Sequence, residues 1–281
     1  MQPLVSVGIT AHDDLGIEHT LECIADQTYR NLEIIVSVNP SPDEDTNLRI
    51  REIVDRFCDS DTRIRRFYMN RDIGIIENFW FVFQQATGKY FMLAADDDHW
   101  ERWFIGDLVN AMEPDENISL GITACRRIGP GGKDIMRFPE FRYNYSFFTT
   151  FKNMLTALYD DRFGFFYMGL YRKNLLEKVW DRAEDVHGKD IVIVAELLMS
   201  TRLCYVDELL FEKQMYGISS TDFDRDPLCT LKFYWYFVRR LTFSRNIPIH
   251  RKLVLPLIFG TSFVWMVTAY AMRFGMFIKS L

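Results

Sequence analysis

The chain has 281 residues, 48% hydrophobic and 26% charged, with 15 Gly and 9 Pro, proportions that exclude collagen-like, disordered and disulfide-scaffold classes. This length suits one large globular domain with an extension and leaves ample material for a core. The net charge of −6 is uneven: residues 230–281 carry Lys232, Arg239, Arg240, Arg245, Arg251, Lys252, Arg273 and Lys279 with no acid, so the remaining 25 basic and 39 acidic residues leave −14 for residues 1–229. An acidic body repels nucleic acid, and no nucleic-acid partner is expected; a basic aromatic tail suits an anionic membrane surface.

In chain order, Leu4–Thr10 is a short β-branched run that predicts a strand, and Ile17, Leu21, Ile24 and Ala25 repeat on one helical face. Leu32–Val38 reads as a second strand, followed by a helix with Ile50, Ile53, Val54 and Phe57 on one side. Arg63–Tyr68 is a third strand, Ile76, Phe79, Trp80 and Phe83 mark a helix, and Tyr90–Ala95 is a fourth strand. Strands apolar throughout, alternating with amphipathic helices, predict an α/β fold with a mostly parallel sheet covered on both faces. Ligands of such sheets bind at the carboxyl ends of the strands. Those ends carry His12, Asp13 and Asp14; Asn39, Ser41 and Asp43; and Asp96, Asp97 and Asp98.

Residues 129–165 show no clear period and predict no particular element. A helix with Ile191, Val194, Ala195 and Leu198 on one face resumes the pattern, then a short strand at Leu203–Val206. The composition changes near Ser219–Asp226, which divides the chain into a main domain, 1–220, and a basic, hydrophobic helical extension, 221–281. Within the extension, residues 253–272 are twenty uncharged residues, long enough as a helix for a bilayer core. They read as a span, an in-plane anchor or a buried helix; the cations before them would hold the main domain on the cytoplasmic face of a membrane. The start MQPLVSVGIT lacks the charged opening and long apolar run of a signal peptide. Five scattered cysteines without a CxxC pair indicate neither a zinc site nor a disulfide framework, and a reducing compartment.

Three successive carboxylates at a strand end repel one another unless a cation neutralises them, and oxygen ligands select Mn2+ or Mg2+. The alternative is a solvated turn with Asp98 capping a helix near Glu101. Asp190 directly precedes the Ile191 face, where an N-cap would stand.

The stretches SVGITAHDD, LECIADQTYRNLEIIVSVNPSPDED and NRDIGIIENFWFVFQQATGKYFMLAADDDHW resemble, in this order, the nucleotide-binding half of inverting family 2 glycosyltransferases of the GT-A fold. GLYRKNLLEKVW and GKDIVIVAELLMSTRLCYVDELLF resemble the acceptor half, so the likeness runs from about residue 3 to 217. It implies a Rossmann-like GT-A fold and transfer of a sugar from a nucleotide-diphosphate sugar to an acceptor hydroxyl. Carried onto this chain, Thr10, Ala11, His12 and Asp13 lie against the nucleoside, and Asn39 reads the base. Asp96 and Asp97 contact ribose and metal, with Asp98 as the third acid and a second metal ligand. Asn78 in the following helix meets the nucleotide or solvent. Asp190 falls where the family places its catalytic base, with Glu184, Asp185 and Glu196 as neighbouring rivals; His187 is a further candidate for touching acceptor or phosphate.

The chain departs from the family pattern at Val38, usually Asp, and at Thr10-Ala11-His12, usually Pro-Thr-Tyr. It lacks the Gln-x-x-Arg-Trp motif of processive synthases, which implies addition of a single sugar. A glycan or lipid-linked acceptor in cell-surface polysaccharide synthesis follows from the family and the anchor. The alternatives are an inactive GT-A-like scaffold and a nucleotidyltransferase; a missing Gly-rich, Lys-bearing phosphate loop weighs against the latter.

Overall fold

The computed structural model describes residues 2–129, 132–139, 152, 154, 163–180, 188–214 and 227–264. Its first half winds as the sequence predicts. Strands β1 (Val5–Ala11), β2 (Leu32–Val38), β3 (Ile64–Tyr68) and β4 (Tyr90–Ala95) alternate with helices α1 (Ile17–Ala25), α2 (Glu44–Ser60) and α3 (Ile75–Gln85). All pairings among these strands are parallel, in the order β3-β2-β1-β4. Every residue of β1 is buried, because helices cover both faces.

The second half continues the same sheet with mixed directions. After β5 (His99–Trp100) and α4 (Phe104–Met112) come β6 (Ile118–Gly129) and its hairpin partner β7 (Gly132–Met136). Helix α5 (Phe163–Tyr167), β8 (Leu170–Arg172), α6 (Lys173–Val179), α7 (Lys189–Ser200) and β9 (Arg202–Gln214) follow. β8 enters antiparallel between β4 and β6, and β9 lies parallel to β6. The strand at Leu203–Val206 therefore runs on to Gln214, crossing irregularities near Thr123 and Ala124 of β6. Its far end pairs with β5, which brings Lys213 and Gln214 back to the residues after β4.

Helix α7 is buried nearly all round, Val192 to Met199. A helix apolar on all sides must be covered on all sides, and the extension provides the missing cover. Helix α8 (Pro227–Phe243), α9 (Ile249–Lys252) and helical residues 255–264 lie beyond it, with Tyr236, Phe237, Leu241, Ile247, Val254, Leu255 and Ile258 buried. Arg240 Nε donates to Glu196 Oε2 at 2.7 Å, and Arg251 donates to the carbonyls of Met199 and Thr201. The aromatic run 233–237 is thus divided: Tyr236 and Phe237 are buried, Phe237 against Phe233 and Phe259, while Trp235 faces outward. Among the described residues no helix is long and apolar enough to cross a membrane, and residues 265–272 of the candidate span lie outside them.

Candidate functional site

The register aligns the ends of three parallel strands. Ala11 stands opposite Val38, and Thr10 opposite both Ser37 and Ala95, so the loops beginning at His12, Asn39 and Asp96 leave the sheet side by side. They are stitched together: the backbone N–H of Asn39 donates to Ala11 O at 2.8 Å and that of His12 to Asp96 Oδ2 at 3.2 Å. Helix α1 closes the floor, where Thr20 Oγ1 donates to Ala95 O at 3.1 Å and Asp98 O at 3.3 Å. Its N-cap, Gly16, approaches so closely that an added Cβ would lie 2.6 Å from Asp96 O.

The three acids differ in their surroundings. Burial raises the Asp96 carboxyl to about 7, helped by the nearby charges of Asp97 and Asp14 and opposed by the His12 N–H. Burial also raises Asp97, with Lys213 opposing and Asp14 reinforcing the shift. Asp98 is 1% exposed; burial lifts it to about 6 against the pull of Lys213. Its oxygens accept from Gln214 N at 3.0 Å and Lys213 Nζ at 3.4 Å. Asp98 does not cap a helix, since α4 begins at Phe104 behind Trp103. Lys213 has no motif to betray it in the sequence; strand β9 carries it here from 115 residues away.

Raised carboxylates mean that ionising this cluster costs folding free energy. Unfolded aspartates ionise near pH 4, so the folded chain holds extra protons from there up to about pH 7 and loses stability across that window as pH rises. A bound divalent cation reverses the balance by favouring the ionised forms. Asp96 and Asp97, two oxygen-bearing groups held at one edge with the charge of Asp14 close by, fit Mn2+ or Mg2+.

The other predicted residues are placed as follows. Thr10 and Ala11 are buried at the end of β1, and Asp13 is exposed just beyond them. His12 is half-buried, and Asn39 is 3% exposed, its amide engaging Ile73 N and Gly74 O at 3.5 and 3.4 Å, so it supports the turn that opens α3. Asn78 is buried rather than solvated, with Nδ2 donating to Ser37 O at 3.4 Å; the buried face of α3 is Asn78, Phe79, Val82 and Phe83. Three buried polar atoms here have no protein partner: His12 Nδ1, Ser37 Oγ and Asn78 Oδ1. Buried polar atoms are nearly always paired, so unmet hydrogen-bonding capacity collects at this edge. Ser41 and Asp43 belong to the start of α2, where Asp43 accepts from Thr46 N.

Asp190 lies in the first turn of α7, and the N-cap is Gly188 at φ 79°. That left-handed backbone suits glycine and removes the capping alternative for Asp190. Its charge reaches the buried Tyr167 and Tyr171 hydroxyls, both raised well above their usual range by burial first. Tyr167 in turn lies against Phe79, whose ring centroid is 6.0 Å away, next to Asn78. Glu196 proves structural: 1% exposed, it accepts from Arg240, Ser244 and Asn246. Glu184, Asp185 and His187 lie outside the described residues.

A family model described as glycosyl transferase family 2 matches residues 6–180, more than half of the chain. The chain belongs to glycosyl transferase family 2. The fold agrees with solved structures. S. aureus TarS 1–349 aligns with TM-score 0.66 at 13% identity, covering 89% of this chain and 69% of that one. Its complex with UDP-GlcNAc gives TM-score 0.65 at 14% identity, covering 89% and 70%. The mannosyltransferase PcManGT from Pyrobaculum calidifontis, in complex with GDP-Man and Mn2+, gives 0.58 at 14% identity, covering 96% and 76%. At these identities the likeness establishes the GT-A fold. No curated protein matches the chain. Family membership makes this protein a glycosyltransferase rather than a nucleotidyltransferase.

Proposed function

We propose that this glycosyltransferase moves one sugar from a nucleotide-diphosphate sugar to an acceptor hydroxyl, with inversion and in dependence on Mn2+ or Mg2+. The observation that carries this reading is the Asp96–Asp97 pair, both raised first by burial and then by the charge of Asp14, at the joined ends of β1, β2 and β4. His12, Asn78 and the neighbouring strand ends hold the nucleoside, Asp96 orients the ribose, and Asp97 holds the cation. Bound there, a divalent ion neutralises charge on the departing diphosphate. Lys213 fixes Asp98 and stands beside Asp97, which keeps the acid loop in one conformation. Asp190 takes the proton from the acceptor hydroxyl as that oxygen attacks the anomeric carbon. Related structures bound to UDP-GlcNAc and to GDP-Man with Mn2+ support a donor of this class.

Calorimetric titration and thermal shift with nucleoside diphosphates, with and without Mn2+, test the proposal. One diphosphate stabilises the protein only with Mn2+, Asp97→Ala loses that response, and metal-dependent affinity strengthens as pH rises through about 7, where Asp96 gives up its proton. Absence of any nucleotide response at pH 8 with Mn2+ refutes it.

The extension suits attachment of the enzyme to the cytoplasmic face of a membrane, next to a lipid-linked acceptor. Trp235, Phe243, Ile249, Leu253 and Leu257 are exposed apolar side chains, 57–84% accessible, near the exposed cations Lys232, Arg239 and Arg245. Such a surface inserts shallowly and is drawn by anionic lipid. Liposomes rich in phosphatidylglycerol sediment the protein, and Phe243→Ser with Ile249→Ser releases it; equal recovery in the supernatant with and without vesicles contradicts the attachment.

A further inference from the structure

Beside the acid loop, on its α1 side, lies a second cluster of ligand-type side chains that the donor site does not use. His19 and Cys23 are one helical turn apart on α1, and His99 is the first residue of β5, directly after Asp98. One donor atom from each residue falls within 4.8 Å of the others. His19 Nε2 is 2.9 Å from His99 Nδ1, while Cys23 Sγ is 3.1 Å from that same Nδ1 and 3.6 Å from His19 Nε2. Around a tetrahedral ion with bonds of about 2.0 Å to nitrogen and 2.3 Å to sulfur, ligand atoms stand roughly 3.3–3.6 Å apart. The three observed separations lie within about 0.4 Å of that spacing.

The far ring nitrogens point the same way. His99 Nε2 is 3.7 Å from Glu101 Oε1, and His19 Nδ1 is 3.8 Å from Glu22 Oε2. A carboxylate opposite the ligating nitrogen is the arrangement that fixes ring orientation and raises basicity in metal-bound histidines. The ligand type also separates this cluster from the donor site: two imidazoles and a thiolate select Zn2+, whereas carboxylates select Mn2+ or Mg2+.

We propose that His19, Cys23 and His99 form a Zn2+ site with a fourth position open to water, distinct from the site of the donor metal. Binding displaces the Cys23 thiol proton to solvent and leaves the thiolate on the ion. The ion clamps β5 to α1 and so anchors the acid loop from outside the crevice, reinforcing the Thr20 bonds to Ala95 and Asp98. The absence of any CxxC pair concealed the site, since its ligands come from positions 19, 23 and 99.

Co2+ titration of the full-length, reduced, metal-stripped protein tests the assignment, because a cobalt–thiolate bond gives a near-ultraviolet charge-transfer band that carboxylate ligation does not. The expected result is one equivalent of thiolate-bound Co2+, displaced by Zn2+ with loss of the band. Cys23→Ser and His19→Ala abolish it, Glu101→Gln weakens Zn2+ binding about 10–100-fold, and Asp97→Ala and Cys58→Ser retain it. Circular dichroism of Cys23→Ser matching the parent shows that the loss is not unfolding. A parent protein without the band, or a band that survives Cys23→Ser, overturns the proposal; neither outcome bears on nucleotide binding at Asp97.

Discussion

Replacing Asp190 by Asn lowers turnover by about 10²–10⁴-fold, the range that a positioned general base contributes, and leaves metal-dependent binding of the nucleoside diphosphate unchanged. The expectation rests on the chemistry around Asp190. An acceptor hydroxyl must lose its proton as it attacks, and the nearby phenols are unsuited to take it. Burial holds Tyr167 and Tyr171 protonated, the charge of Asp190 reinforces that, and the Tyr171 hydroxyl donates to the carbonyls of Phe166 and Tyr167 at 3.1 and 3.0 Å. Asp190 itself sits in the first turn of α7, where the helix dipole favours the carboxylate. The amide of Asn keeps shape and hydrogen bonding and removes only the basicity. Release of nucleoside diphosphate from the donor with water as acceptor, measured beside calorimetric binding, separates the two effects. A rate within about tenfold of the parent removes Asp190 from the role and returns attention to Glu184 and Asp185.

What the sequence made legible follows the range of the interactions involved. Strands β1, β2 and β4 announce themselves because residues buried on both faces leave an unbroken apolar run, and the acids after β4 are conspicuous as a triplet. The edge where the loops after β1, β2 and β4 meet was therefore readable. Which acid does what was not: Asp98 is distinguished from Asp97 by Lys213 and Gln214, which arrive on β9. The same holds for the far half of the sheet. β6 pairs with β9 about 84 positions along, and its Ser, Gly and Thr residues dilute any local pattern. In α7 the one-sided reading missed that Ile193, Glu196 and Leu197 are buried as well. Glu196 is covered by the extension, and no local period reports what packs against a helix from fifty residues downstream.

That cover makes Glu196 the position where a single surface-type residue carries a large share of the stability. Its carboxylate is 1% exposed and accepts from Arg240 Nε at 2.7 Å, Ser244 Oγ at 2.6 Å and Asn246 Nδ2 at 2.9 Å. Arg240 also donates to Val179 O, so the guanidinium spans α6 and α7. Glu196→Ala breaks this buried ion pair and removes the acceptor that Ser244 and Asn246 share, a loss of about 3–5 kcal/mol from a total on the order of 5–15 kcal/mol. At roughly 2 °C per kcal/mol for a chain of this size the melting midpoint drops by about 6–10 °C. The pair Glu196→Leu with Arg240→Leu recovers only the part that comes from the broken ion pair, because Ser244 and Asn246 still lack this acceptor. Function follows the same thread: Asp190 lies less than two turns before Glu196 on α7. Glu196→Gln, which keeps the shape and weakens the Arg240 tie, therefore lowers turnover while sparing donor affinity. A melting midpoint unchanged in Glu196→Ala would show that the extension does not hold α7, and with it Asp190, in place in solution.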